Sequence, residues 1–245
     1  MIDQKVEVPT RDGMAEGFLY HPDSAQPIPG VILLTDIAGI RPAFHRMARR
    51  LAEQGYAVLL PNIFHRVAKL PVFDFEAKMG DERTMKRLGE LRAGLNASQA
   101  AADGGAYVDF LLAQSGVRPD CLGVVGYCFT GSMAMRVAAA RSDKVAAVAS
   151  FHGGGLATDQ PDSPHLLLSQ IKARLYFGHA TDDRSMPPAM IAKLDEALKA
   201  WGERYESETY AGAHHGWAVP GSPVYNEAQA ERHFEKLTDL FKQTL

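Results

Sequence analysis

Five apolar runs rich in β-branched residues divide the chain at intervals too long for hairpins: GVILLTD (30–36), YAVLLPNIF (56–64), CLGVVGY (121–127), VAAVASF (145–151) and ARLYF (173–177). Continuous runs of this kind, rather than alternating ones, are what strands buried on both faces require. Helical patterns separate most of them. After the first run, Phe44, Met47, Ala48, Leu51 and Ala52 recur at helical spacing until Gly55 supplies a stop. Strand and helix alternating in this way predict a mostly parallel central sheet with helices on both faces. Two further strands, VEVPT (6–10) and EGFLY (16–20), flank Arg11, Asp12 and Gly13 and predict an N-terminal hairpin. The last helix carries Phe234, Leu237, Leu240 and Phe241 on one stripe that packs on the sheet.

With no repeat or linker in its 245 residues, the chain reads as a single α/β domain over 1–245. One connection stands out. Between Phe64 and Leu95 the chain carries many charges, a proline and glycines, and far exceeds the usual strand-to-helix loop of about 2–6 residues. Residues 65–92 are therefore a candidate lid insertion. The balance of 26 Lys+Arg against 29 Asp+Glu, a net charge of −3, argues against a nucleic-acid partner, which would need a basic surface. No apolar run approaches the roughly 20 residues that span a bilayer, and the opening MIDQKVEVPT has neither a basic nor an apolar leader region. A cytoplasmic protein without a membrane partner is expected. Cys121 and Cys128, about 23 Å apart along an extended segment, are expected as free thiols.

In an open parallel sheet, ligands gather at the carboxyl ends of the strands. After 121–127 comes Cys128, within Gly126-Tyr127-Cys128-Phe129-Thr130-Gly131, followed by a helical pattern. A strand, a tight turn and a helix with a cysteine at the turn place the sulfur at a positive dipole end, which favours a thiolate and can hold an oxyanion. Cys121, which enters the strand rather than leaving it, reads as a small buried hydrophobe. After 173–177 come Asp182 and Asp183, either of which would orient a histidine. After the alternating stretch YESETY come His214 and His215, adjacent and so pointing in different directions. No HExxH or Cys/His cluster accompanies them, and neither a metal nor another cofactor is expected. Nucleophile, acid, histidine is the chain order of the α/β-hydrolase plan, and with no G-x-S-x-G anywhere, the elbow belongs to cysteine.

These residues resemble the dienelactone hydrolase family, the carboxymethylenebutenolidase-like branch of the α/β-hydrolases. The likeness runs over nearly the whole chain. It rests on the Gly126-Tyr127-Cys128 elbow, on Asp183 four residues before Pro187, on the Gly-Ala-x-His-Gly-aromatic pattern around His215, and on Thr35-Asp36-Ile37-Ala38-Gly39-Ile40. The resemblance implies an α/β-hydrolase fold and a Cys-His-Asp triad of Cys128, His215 and Asp183. It also implies an oxyanion hole from the backbone N–H groups of Ile37 and Phe129. Three positions depart from the family pattern. Asp36 stands where the family has a glutamate that pairs with the resting cysteine, Thr130 where the elbow has glycine, and Val219 where dienelactone hydrolases have an arginine for the substrate carboxylate.

The expected reaction is hydrolysis of a small carboxylic ester or lactone through an acyl-thioester on Cys128, with Asp36 as the carboxylate pairing with the nucleophile. His152, Arg83, Lys86, Arg87 and Trp217 are candidates for substrate contact. A monomer or small homo-oligomer is expected. Two other readings stay open: a thioester or activated phosphotriester hydrolase using the same three residues, and a small-molecule binder of this fold in which Cys128 is only a thiol.

Overall fold

A computed structural model of the chain describes residues 1–78 and 80–245. Residue 79, within the candidate lid, lies outside them. Eight strands form one sheet: β1 (Ile2–Thr10), β2 (Gly13–His21), β3 (Ile28–Leu34), β4 (Ala57–Pro61), β5 (Val117–Tyr127), β6 (Val145–Phe151), β7 (Arg174–Ala180) and β8 (Tyr205–Tyr210). Their spatial order is β1-β2-β4-β3-β5-β6-β7-β8. The N-terminal hairpin pairs antiparallel with itself and with β4, and every later pairing is parallel. Helices α1 (Pro42–Ala52), α2 (Glu82–Ala93), α3 (Ala97–Leu112), α4 (Thr130–Ala140), α5 (Pro188–Trp201) and α6 (Glu227–Lys242) complete the α/β-hydrolase fold.

Successive side chains on a strand point to opposite faces, and the apolar runs supply a core to each. On one face Ile32, Leu34, Val124 and Phe177 pack with Tyr107 and Leu111 of α3, Val137 of α4 and Leu198 of α5. On the other, Val31, Leu33, Val125 and Phe151 pack with Phe44 and Leu51 of α1 and Leu237 and Phe241 of α6. The alternation within the single run 28–34 thus seeds both cores, which is why that stretch is apolar at every position from Val31 to Leu34.

Some boundaries differ from those expected. β3 ends at Leu34, so Thr35 and Asp36 leave the sheet toward its carboxyl edge. β5 begins at Val117 rather than Cys121, its first residues lengthened by pairing with Ile28 across an irregular register. YESETY is the last parallel strand, at the sheet edge. Residues 82–93, which run one residue past the 65–92 segment, form α2, capped by the Asp81 carboxylate accepting from the Thr84 N–H. The start of this segment is tied down: Arg66 pairs with Asp103 of α3, whose carboxylate is fully buried, and with Asp12 of the hairpin turn. Among the described residues, no helix is long and apolar enough to cross a membrane.

Candidate active site

β5 delivers Cys128 to the carboxyl edge of the sheet and α4 carries the chain away at once. The reversal is so tight that Cys128 takes φ 59°, in the left-handed region. A Cβ on Gly126 would lie 2.2 Å from the Thr130 carbonyl oxygen, so the strand can meet the helix only because Gly126 has none. Thr130 fits where a glycine was the family expectation. Its hydroxyl accepts the Tyr127 N–H at 2.8 Å and donates to the Tyr127 carbonyl at 2.9 Å, stitching the turn. The closest approach to the next strand passes to Gly131, where a Cβ would be 2.2 Å from Ser150 Oγ.

The loops after β7 and β8 bring the other two groups to this elbow. His215 Nε2 lies 3.1 Å from Cys128 Sγ, and its Nδ1 lies 2.6 Å from Asp183 Oδ2. The doublets separate by burial. Asp182, at φ 55°, is exposed while Asp183 is buried, and His214 is exposed while His215 turns inward. Sequence reasoning passed over Ser185. Its N–H and hydroxyl donate to Asp183 Oδ1 at 2.8 and 2.6 Å, leaving Oδ2 for the imidazole. An Asp two residues before a Ser in a strand-end loop is a turn signal that could have revealed it.

Electrostatics follow from these bonds. Burial disfavours charge on His215, but the hydrogen bonds to Asp183 and to Cys128 outweigh it and push its pKa up to about 10. Burial likewise works against the Asp183 carboxylate, yet His215 and Ser185 hold it below the usual range. His152, also at positive φ, accepts the Cys128 N–H on Nδ1 at 3.1 Å. Its burial pushes its pKa well below the ordinary value, and the nearby His215 adds to that effect.

Cys128 lies on two cavities. One, of about 440 Å³, includes His215, His152, Asp36, Ile37, Phe73 and Leu88 in its wall. The other, of about 500 Å³, runs beside α4 past Phe129, Ser132 and Arg136. Among the described residues, the N–H groups of Ile37 and Phe129 meet no protein acceptor.

Other expected residues sit elsewhere. Both oxygens of Asp36 are taken by Arg41, at 2.6 Å each, and one also accepts the Ala38 N–H. Its partner is this guanidinium and not Cys128. Arg83, Lys86 and Arg87 line a separate groove: the buried face of α2 is Thr84, Leu88 and Leu91, Arg83 and Lys86 lie around the helix from it, and Arg87 stands at its edge. Arg83 reaches Asp74, and Arg87 reaches the Val72 carbonyl and Glu90. Trp217 is fully buried behind His152, with ring centroids 5.0 Å apart, and Val219 is buried too. Cys121 and Cys128 are both free.

Residues 15–245 match the dienelactone hydrolase family. The chain belongs to it. A carboxymethylenebutenolidase of Rhodococcus opacus is 26% identical over 220 residues, 88% of this chain and 81% of that protein. A Synechocystis sp. relative with the provisional name carboxymethylenebutenolidase is 26% identical over 244 residues, covering 98% of this chain and 96% of its own length. A Klebsiella pneumoniae structure, provisionally named a dienelactone hydrolase, shares the fold with a TM-score of 0.87 at 20% identity, over 99% of this chain and 98% of that one. As a member of this family the chain is a hydrolase, with a small molecule as its substrate.

Proposed function

We propose that this dienelactone hydrolase family member cleaves carboxylic esters or lactones with Cys128 as nucleophile, His215 as proton carrier and Asp183 as the group that orients it. The observation that supports this most is the unbroken hydrogen-bonded line Asp183–His215–Cys128, ending on a cysteine at φ 59° at the head of α4. Cys128 attacks the carbonyl carbon as its thiolate, and the carbonyl π pair moves onto oxygen. That oxyanion takes the two N–H groups of Ile37 and Phe129. As it collapses, the carbon–oxygen bond to the alcohol breaks and His215 Nε2–H protonates the departing oxygen, leaving a thioester. Water then gives a proton to Nε2 as it attacks the thioester, and the Cys128 thiolate leaves. Throughout, Asp183 accepts from Nδ1–H and stabilises the imidazolium.

Asp36 takes a different part from the one expected of it. With its charge matched by Arg41, it shapes the cavity wall, and the partner of Cys128 is His215. Segment 65–92 supplies Phe73, Thr84 and Leu88 to that wall and serves as a cover over the leaving-group side.

The test is hydrolysis of 4-nitrophenyl acetate by the parent, Cys128→Ser and His215→Ala, with mass spectrometry of the acid-quenched enzyme. A 42 Da adduct on Cys128 in the parent, together with a loss of about 10³-fold or more in both variants, is expected. Hydrolysis that survives Cys128→Ser overturns the assignment.

A further inference from the structure

The larger cavity, which borders Cys128 along α4, carries a charge that the reaction above does not use. Arg136 lies one turn beyond Ser132 on the same face of α4, and its side chain is only 13% exposed. Its Nη2 donates to the Asp162 backbone carbonyl at 2.6 Å, while the Asp162 carboxylate, mostly in solvent, stands off at 3.9 Å. A guanidinium has five N–H donors in a planar fork, and one carbonyl with one distant carboxylate leaves this one under-partnered for its burial. Burial accordingly pulls its pKa below the ordinary arginine value, with Asp162 opposing. Arg92 of α2 lines the same cavity and, among the described residues, makes no ion pair. The cavity thus holds two arginines against one exposed aspartate.

Direction follows from His215, which lines the other cavity. The group that protonates the departing oxygen fixes where the alcohol leaves, and the acyl chain runs the opposite way, beside α4. Thr130 and Arg136 are six residues apart, about 9 Å along the helix axis, and side chains lean back toward the helix N-terminus. A carbonyl at Cys128 therefore reaches the guanidinium through a chain of about four to six carbons.

Resting on the Cys128–His215 reading, we propose that the substrate is an open-chain half-ester, whose acyl chain ends in a carboxylate seated on Arg136 with Arg92 at the rim. Planar, two-pronged binding of a carboxylate is what a guanidinium fork is shaped for.

The experiment compares two esters of equal acyl length, 4-nitrophenyl hydrogen adipate and 4-nitrophenyl hexanoate, by the ratio of their kcat/KM values. A ratio cancels any loss of folded enzyme common to both. The parent is expected to favour the adipate at least tenfold at low salt. In Arg136→Gln that ratio drops at least tenfold, mainly through KM, and Arg136→Lys lies between. A ratio near one in the parent, or one unchanged in Arg136→Gln, overturns the proposal. Calorimetry of adipate with Cys128→Ser gives a second readout that needs no turnover. Binding that weakens at least tenfold in Cys128→Ser/Arg136→Gln supports the seat even where neither ester is hydrolysed, an outcome that sinks the catalytic reading alone. Adipate that binds both proteins equally, or neither, counts against the seat.

Discussion

The backbone N–H of Cys128 donates to Nδ1 of His152, and both residues hold left-handed backbone conformations, at φ 59° and 40°. Such strain persists only where the surroundings over-determine it. Accepting that N–H requires the Nδ1 lone pair, so His152 is neutral with its proton on Nε2, in keeping with its strongly lowered pKa. His152→Ala leaves the Cys128 amide leaning on the Phe151 carbonyl alone, at 3.2 Å. We expect kcat for an activated ester to fall about tenfold with KM little changed, matching the roughly 1–3 kcal/mol attached to a lost buried partner. His152→Asn, which keeps an acceptor, recovers part of the loss. Equal effects of Asn and Ala would mean that packing, not the hydrogen bond, is what matters.

His215 offers a pH test. Its charged form is favoured in the fold, with a pKa near 10 against an ordinary 6.5. The raised value sets the sign. The stabilisation is fully present below about pH 6.5 and disappears as pH rises through about 10. Ring nitrogen NMR is expected to report an imidazolium at pH 8. Because Asp183 and Cys128 both favour the charge, Asp183→Asn and Cys128→Ser each move the titration to lower pH. An imidazole that is neutral at pH 8 in the parent protein contradicts the coupling.

Asp36 lies near the nucleophile in sequence logic but not in charge. Since Arg41 engages both of its oxygens, the two charges together do little to Cys128. Alkylation of Cys128 by iodoacetamide is expected to change less than about threefold in Asp36→Asn/Arg41→Gln, where both charges go together, since a matched pair presents little net field. An acceleration beyond tenfold would reveal a carboxylate that reaches the sulfur.

What the sequence made legible was what is written in contiguous residues. The stretches 31–34 and 147–149 announce buried strands because every position faces a core, and α1 and α6 announce themselves by wide apolar stripes. The order Cys128, Asp183, His215 follows from strand ends meeting at one sheet edge. The residues alone could not separate Asp182 from Asp183 or His214 from His215. That choice is made by loop backbone, such as φ 55° at Asp182, which no spacing rule records. α2 was hidden because its buried stripe is only Thr84, Leu88 and Leu91 amid charges, and Arg83, Lys86 and Arg87 line a groove apart from the Cys128 cavities. Pairing of Asp36 with Arg41 depends on the left-handed turn at Gly39 between them, and so it too was out of reach.

The last expectation concerns Gly131, the point at which α4 touches β6. A Cβ there would meet Ser150 Oγ at 2.2 Å and the Gly153 Cα at 3.0 Å. The hydroxyl can rotate or be deleted, whereas the Gly153 backbone can move only with the loop after His152. Gly131→Ala is therefore expected to destabilise the fold by about 1–3 kcal/mol, the range for overpacking, read from urea unfolding. Ser150→Gly in the same chain removes the first clash but not the second, and its rescue should be partial. Activity should fall further than stability, because displacing the head of α4 displaces the Phe129 N–H that receives the oxyanion in the proposed reaction. A Gly131→Ala protein with parental stability would mean that α4 and β6 are not in the contact described.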